Sequence, residues 1–331
     1  MKYDIIFVEI RKEVNFMKKY ELTDEIKEIN GITLYRIKAL IDFGDVKTGY
    51  LGGWIAKEEN LSQEGQCWVS NNACVFGNAK VYNDACVHGD ARVFGDACIF
   101  DNAHVFGSAC VSGNAHVSGY ACISGNVRVR DNAKVFGDAY ISDYARIYGN
   151  AKVFGNAWIH NDAHVYGDAK VFDHAHVCGN ACVYDNACVY GNTYVHGDAI
   201  ICERMFVSYS RIDTDLRTDM AASLRGQCNL LLIRNKVIAY KIVNRNLTSL
   251  YDKNFIYKIG EIAEVENPDE SNESCASGLH FSSLTYWDHN VQGYKNKVYL
   301  VVEIDIEDII TIQQGKIRCK KAKILDKIDI K

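Results

Sequence analysis

Residues 132–149 read NAKVFGDAYISDYARIYG, which is three copies of one six-residue unit. Each copy has Ala at its second position and Val or Ile at its fourth. The spacing holds along the middle of the chain: a small marker residue recurs every six residues from Ala73 to Ala199, with Val127 and Thr193 as the substitutes for Ala. A fixed period of this kind indicates a repeat architecture, in which each unit buries its apolar face only by stacking on its neighbours.

The unit is too short for a helical repeat and fits a strand followed by a corner. Alternate residues of a strand face opposite ways, so the marker and the Val or Ile two positions later point to the same side. The two positions after them are mostly Gly, Asn or Asp, as in Gly77-Asn78 and Asn83-Asp84. These residues tolerate left-handed backbone angles and make tight turns. The pattern therefore predicts a short strand and a corner in every unit.

This pattern resembles the hexapeptide-repeat family, in which three units close one coil of a left-handed parallel β-helix. The resemblance supplies the handedness, since parallel crossovers are usually right-handed. We predict a β-helix over residues 67–210, and these 144 residues make about eight coils of three units. The fold class expected for the whole chain is mainly β, with an N-terminal cap before the β-helix and a C-terminal α+β domain after it.

Residues 1–66 are predicted to be an N-terminal extension followed by a cap. Residues 1–16 fit either a strand or an upstream extension. Residues 17–66, with Gly52-Gly53-Trp54 and the run LSQEGQCW at 61–68, resemble YdcK-type hexapeptide-repeat proteins, which are catalogued as predicted acyltransferases. A solenoid needs covered ends because its first coil otherwise exposes core and strand edges. We therefore expect 17–66 to be a cap, with a strand at Ile32–Leu40.

After the repeat, residues 211–228 are predicted to be a helical linker, with a helix at Asp213–Leu224 that Thr214 or Asp215 caps and Gly226 follows. Residues 229–331 are predicted to form the α+β domain. The runs SLYDKNFIY at 249–257 and SCASGLH at 274–280 resemble an uncharacterised domain of phage and prophage proteins. The resemblance implies a phage or prophage origin and assigns no activity. Strands are expected near 230–233, 237–243, 255–259, 298–304 and 316–324.

Composition narrows the class of protein. The net charge of −5 argues against a general nucleic-acid binder. Cysteines recur every twelve residues from Cys74 to Cys122 at outward positions on different sides of the prism, too far apart for disulfides. They indicate reduced thiols in a cytoplasmic protein. No run of apolar residues is long enough to span a membrane and no leader is evident, so we expect no membrane partner and no export.

Counting by coils sorts the outward residues onto three sides of the prism, which we call the lysine, arginine and histidine faces. Large exposed aromatic patches mark interfaces. One interpretation is packing against sister chains, with a trimer favoured because the family implies it. The alternative is a basic aromatic ladder that binds an anionic or aromatic ligand. The candidate binding residues are Lys134, Phe136, Lys152, Phe154, Lys170, Phe172 and Tyr190 on the lysine face, and Arg128, Arg146 and Tyr148 on the arginine face.

Two further clusters carry chemistry-bearing residues. On the histidine face His160, Cys178 and His196 form one column beside His176 and could hold zinc. In-register stacking also produces such columns by chance, so no metal or other cofactor is expected. His280, in the step Gly278-Leu279-His280 before Phe281, is a candidate binding residue; the step resembles mono-ADP-ribosyltransferases, although no acid–arginine triad can be placed. The alternative is a structural, hydrogen-bonded His280.

The function prediction depends on whether the repeat carries a catalytic cleft. Acyltransferases of the hexapeptide family break the repeat with a protruding loop and place a catalytic His between subunits. No unit is interrupted here, and the possible general bases His104, His116 and His164 have no evident carboxylate to orient them. The sequence therefore predicts a non-catalytic, oligomeric binding or display scaffold. The C-terminal resemblance implies a phage-encoded protein, and sequestering a host molecule fits that origin. The alternative is a hexapeptide-type acyltransferase that uses acyl-CoA.

Overall fold

The computed structural model describes residues 17–208, 210–269, 271, 277–290 and 296–329. The strand or extension considered for residues 1–16 lies outside them. The described chain is mainly β, as predicted, and consists of a long parallel β-solenoid followed by two small antiparallel sheets.

Each coil of the solenoid contributes one two-residue strand to each of three parallel sheets. Successive strands of a face pair in register one coil apart, as in Lys134 with Lys152 and Val135 with Val153. The lysine-face strands are Lys80–Val81, Cys98–Ile99, His116–Val117, Lys134–Val135, Lys152–Val153, Lys170–Val171, Cys188–Val189 and Phe206–Val207. The arginine-face strands are Cys74–Val75, Arg92–Val93, Cys110–Val111, Arg128–Val129, Arg146–Ile147, His164–Val165, Cys182–Val183 and Ile200–Ile201. The histidine-face strands are Trp68–Val69, Cys86–Val87, His104–Val105, Cys122–Ile123, Tyr140–Ile141, Trp158–Ile159, His176–Val177, Tyr194–Val195 and Arg211–Ile212.

The markers and the Val or Ile residues fill the interior, as the sequence predicts. Ala133, Val135 and their equivalents from Ala73 to Val189 are fully or almost fully buried. At the corners, the left-handed position is mostly Gly, Asn or Asp, for example Gly137 with φ 72° and Asp131 with φ 61°. Asn side chains also bond along the corners, as where Asn132 Nδ2 donates to Asn150 Oδ1 at 3.1 Å. Burying the methyl groups in one continuous column stabilises the stack as a unit.

The solenoid is slightly longer than the eight coils predicted from the repeat. Within the described residues the histidine face has nine strands, from Trp68–Val69 to Arg211–Ile212, so the structure has about nine turns. The last turn is one residue short, because Tyr194 pairs with Arg211 whereas Tyr140 pairs with Trp158 a full coil away. Winding therefore continues into the segment that the sequence assigned to the linker.

A hairpin lies at the N-terminal end. Strands Tyr20–Ile29 and Ile32–Ala39 pair antiparallel, and Leu51–Ile55 joins them to the arginine-face sheet through Cys74–Val75. Tyr20 is buried, and its hydroxyl donates to the carbonyl oxygen of Leu61 at 2.6 Å. The hairpin thus packs on the first coil of the solenoid. A short 3₁₀ turn at Glu58–Asn60 completes this region.

The segment after the solenoid differs from the predicted helix at Asp213–Leu224. Only Met220–Ser223 is α-helical, and it widens directly into a π-helical turn at Leu224–Cys228. Its N-cap is Asp219, whose side chain accepts a hydrogen bond from the Ala222 amide at 2.9 Å, and not Thr214 or Asp215. Gly226 lies within the wide turn. An added Cβ there would be 3.0 Å from Ile212 Cδ1, so the glycine permits close packing on the last coil.

The C-terminal region contains two antiparallel sheets in the described residues. The larger has the order Leu232–Ile233, Lys236–Asn244, Lys297–Asp305, Lys321–Asp329 and Ile262–Glu264, and the smaller has the order Leu279–Phe281, Lys316–Cys319 and Ile309–Gln313. Helix Leu284–Asn290 and a 3₁₀ turn at Ile306–Asp308 complete it. The strand predicted near 255–259 is wrong: residue Ile256 makes only an isolated bridge to Thr248. The predicted strand at 316–324 is divided at Lys320.

Candidate functional site

The candidate binding residues of the lysine face form two parallel columns. Lys134, Lys152 and Lys170 lie on consecutive strands and are exposed. Directly after each strand, one aromatic ring stacks on the next with nearly parallel planes. The centroid distances are 4.8 Å for Phe136–Phe154, 4.9 Å for Phe154–Phe172 and 5.2 Å for Phe172–Tyr190.

The arginine face repeats this arrangement. Arg128 and Arg146 pair on adjacent strands, and Tyr148 stacks on Tyr166 at 4.8 Å. The guanidinium of Arg130 lies 4.9 Å from the centroid of the Tyr148 ring, a cation–π contact. Burial raises the pKa of the Tyr148 hydroxyl, so the ring presents a neutral phenol.

Ring stacking changes the interpretation of these surfaces. A partner is expected on these surfaces only if the aromatic rings are open to solvent. Each ring instead stacks on its neighbour, and all of them are half-buried within one chain. Stacked pairs are stabilising on their own account by about 0.5–1.5 kcal/mol each. Stacking within one chain is therefore enough to explain why these positions are aromatic, and no bound partner is required.

The columns of lysine and arginine side chains, in contrast, are not stabilised by ion pairs within the described chain. Across the part of the chain that the structure describes, no carboxylate lies within 4.0 Å of the side-chain nitrogens of Lys134, Lys152, Lys170, Arg128 or Arg146. Like charges one strand spacing apart repel. These cations are thus available to an anion.

The histidine-face column is arranged differently from a metal site. Cys178 is buried and within hydrogen-bond distance of the Tyr194 hydroxyl at 3.4 Å, while His196 Nε2 accepts from Arg211 Nε at 2.7 Å. Trp158 lies 5.0 Å from His160 and 5.1 Å from His176 between ring centroids. Among the described residues no group of three or more His, Cys, Asp or Glu side chains is close enough to hold a metal ion. The column is a ring-packed surface.

The three histidines considered as general bases remain isolated. His104 is exposed, and His116 packs edge-on against Phe100 at 6.2 Å. Burial and the Arg146 charge lower the pKa of His164, which favours its neutral form. In the described chain none of the three has a carboxylate within 4.0 Å. The structure thus brings none of them together with an orienting group.

His280 lies in the wall of a cavity of about 700 Å³ in the C-terminal region. Its pKa is lowered to about 4 by burial and by the nearby charges of Lys241, Lys316 and Arg318, so the imidazole is neutral at pH 7. Sequence reasoning missed the neighbouring Lys241. The signal was present: Val237, Ala239 and Val243 face the core on alternate positions of one strand, and Lys241 occupies the same side.

Two family models match separate segments of the chain. Residues 237–331 match the model of a domain of unknown function, DUF7666, and residues 145–161 match the YdcK beta solenoid repeat. The C-terminal region is a DUF7666 domain. These matches confirm the predicted resemblance of the repeat to YdcK-type solenoids and of the C-terminal region to an uncharacterised domain.

Two individual proteins are similar to the chain. It is 40% identical over 72 residues to the uncharacterized acetyltransferase YdcK of Escherichia coli strain K12, a match covering 19% of this chain and 22% of that protein. The chain therefore matches about a fifth of the length of that relative. The UDP-N-acetylglucosamine acyltransferase from Campylobacter jejuni aligns with 49% of this chain and 71% of its own, at 16% identity and a TM-score of 0.25, a likeness too weak to indicate activity. The repeat is a parallel β-solenoid that includes a match to the YdcK beta solenoid repeat.

A membrane-spanning helix is not found in the described residues, because no helix there is both long and apolar enough.

Proposed function

We propose that the protein is a non-catalytic binding scaffold, and that its solenoid binds an extended anionic ligand along the lysine face. The observation that supports this most is the column of exposed cations at Lys134, Lys152 and Lys170, none of them paired with a carboxylate in the described chain. Consecutive strands place them roughly 4.8 Å apart. A linear polyanion with closely spaced charges matches that spacing, and the stacked rings keep the column straight.

We expect the ligand to bind through several weak ion pairs at once. One exposed ion pair contributes only about 0.2–1 kcal/mol, and salt screens it. Several pairs on a rigid surface add up without a large ordering cost. Binding should therefore weaken steeply as salt rises, which separates it from binding through the rings alone.

The experiment compares two triple variants, which remove the same number of charges from the lysine face and from outside the solenoid. The test protein carries Lys134→Met, Lys152→Met and Lys170→Met, and the control carries Lys47→Met, Lys253→Met and Lys327→Met, all exposed and outside the solenoid. Binding of inorganic polyphosphate is measured at low and high salt. We expect the test protein to lose salt-sensitive binding and the control to keep it. Equal retention by both would contradict the proposal.

Self-association through the solenoid stays a proposal, and the structure favours the histidine face. Columns of unpaired Lys or Arg oppose burial against an identical surface. The histidine face instead exposes Tyr140 by 37% and Trp158 by 41%, with Tyr144 at the adjoining corner exposed by 58%. Exposed aromatic groups of this kind are typical of interfaces. We infer that sister chains meet there, which leaves the lysine face open to ligand.

Acyl transfer is the second candidate, because the YdcK relative is described as an uncharacterized acetyltransferase. The uninterrupted solenoid argues against it, since no loop interrupts the strand-and-corner pattern from 68 to 207. Incubation with acetyl-CoA and candidate amines, followed by detection of free thiol, tests the activity directly. Thiol release that scales with enzyme and disappears in a His164→Ala variant would replace the scaffold proposal.

A phage or prophage origin and sequestration of a host molecule remain proposals that rest on the sequence resemblance. Mass spectrometry of material that co-purifies with the native protein tests the sequestration proposal. A host polyanion released by high salt would support both sequestration and the lysine-face site.

A further inference from the structure

The C-terminal cavity is separate from the solenoid surface and has the size of a small-molecule site. Its volume of about 700 Å³ lies within the range of roughly 300–1,000 Å³ that is typical of ligand pockets. One part of the lining is apolar and aromatic, with Phe255, Tyr257 and Trp287. Another part is polar and carries Lys241, His280 and Lys316.

Lys241 is the unusual member of this lining, since its side chain is only 5% exposed. An ammonium has three hydrogens to donate. A second buried lysine, Lys19, shows what internal compensation looks like: its Nζ donates to the carbonyl oxygens of Glu64, Gly65 and Cys67 and contacts the Cys67 sulfur. Lys241 makes one such bond, to the carbonyl oxygen of His280 at 3.0 Å.

The remaining surroundings of Lys241 do not neutralise its charge. The rings of Phe281 and Tyr257 lie 5.6 and 5.9 Å from its Nζ, and such cation–π contacts offset only part of the desolvation cost. No carboxylate in the described residues lies within 4.0 Å of it. Burial lowers its pKa to about 8, which still leaves the ammonium mostly charged at pH 7. A buried charge without a counter-ion is expensive, so an anion in the cavity would be stabilising.

Other groups around the cavity reinforce the positive field. Lys316 lines the cavity, and the charges of Lys241, Lys316 and Arg318 all disfavour protonation of His280. Two acidic residues also line the cavity: Glu264 is paired with Lys321 at 2.9 Å, and Asp252 accepts a hydrogen bond from the Asn254 amide at 2.9 Å. The neutral imidazole of His280 can donate or accept a hydrogen bond without adding charge.

We propose that this cavity binds a small organic anion, whose carboxylate or phosphate contacts Lys241 while its planar or apolar body packs against Phe255, Tyr257 and Trp287. The ligand class follows from the combination of one buried cation with an aromatic wall. Such a site would operate independently of the lysine face of the solenoid.

The test uses two fluorescent probes that differ in charge. 8-Anilinonaphthalene-1-sulfonate is an aromatic anion, and N-phenyl-1-naphthylamine has the same aromatic body without the sulfonate. With the full chain, Lys241→Met should weaken sulfonate-probe binding at least about tenfold and leave the neutral probe within about twofold. The matched control Lys47→Met removes one exposed charge outside both the cavity lining and the solenoid, and it should change neither. Unchanged sulfonate-probe affinity in Lys241→Met, or an equal loss for both probes in a folded variant, would overturn the proposal.

Two further measurements test the proposal even if the Lys241→Met variant does not fold. Ser277 is exposed in the cavity wall, so Ser277→Trp should obstruct the cavity and abolish binding of both probes; full binding by this variant would place the probes elsewhere and refute the site. On the unaltered protein, benzoate and phenyl phosphate compete with the sulfonate probe, and benzyl alcohol serves as the uncharged control. Displacement by either anion at concentrations where the alcohol has no effect supports the proposal and identifies the preferred acid group. Equal displacement by all three would contradict it.

Discussion

The corner residue Asp131 offers a direct test of how the solenoid is held together. Asp131 lies in the left-handed region with φ 61°, and its Oδ2 accepts a hydrogen bond from the amide of Gly149, one coil later, at 3.0 Å. Two effects can therefore be separated: the backbone angle, which a Cβ makes unfavourable, and the bond between coils. Replacement by Ala loses the bond and keeps the Cβ, whereas replacement by Gly loses the bond and removes the Cβ.

The magnitudes follow from these two contributions. Left-handed angles cost an ordinary L-residue roughly 1–2 kcal/mol, which Asp partly avoids through local hydrogen bonding. The exposed inter-coil bond contributes about 1 kcal/mol. We expect Asp131→Ala to lower the free energy of unfolding by about 2–3 kcal/mol and Asp131→Gly to lower it by about 1 kcal/mol or less.

Guanidinium unfolding followed by far-UV circular dichroism measures the series, with Asp138 as the matched control. Asp138 is exposed in the next corner but is absent from the residues with positive φ, so there Gly should be no better than Ala. An Ala variant at 131 that is as stable as the Gly variant would refute the backbone-angle argument. Equal effects at 131 and 138 would refute the importance of the inter-coil bond.

Three other predictions concern the cavity and the histidine face. Lys241→Met should raise the free energy of unfolding by about 1–3 kcal/mol below pH 8, and by less as the pH approaches 10.5. The reason is that burial of the ammonium destabilises the folded state, which is why the pKa of Lys241 is lowered to about 8. Calorimetry at several pH values measures the difference. His280 has a folded pKa of about 4 against 6.5 when unfolded, so stability should fall as pH drops from 6.5 to 4, and His280→Gln should reduce that slope in denaturant titrations. Trp158→Arg should dissociate any oligomer formed through the histidine face while Arg146→Glu leaves it intact, as measured by light scattering; the reverse result would place the interface elsewhere.

Regular parts of the fold were predictable because one local rule repeats. Counting in steps of six placed Lys134, Lys152 and Lys170 on one face and His160, Cys178 and His196 on another, and the strand pairings agree with the first of these groupings residue by residue. Prediction failed where the rule stops. The helix after the solenoid begins at Met220 rather than Asp213, because the final turn continues to Ile212 and Leu216 still packs in the solenoid core.

The solenoid could be predicted from the amino-acid sequence, since burial, strand direction and corner geometry all follow from contacts between residues one unit or one coil apart. The same spacing predicted which side chains share a face. The stacking of the aromatic columns on their own rings, and the contact of a buried lysine with His280 on a different strand, emerged only from the three-dimensional fold. That contact joins residues 39 apart in sequence through the arrangement of two sheets, and no local period encodes such an arrangement.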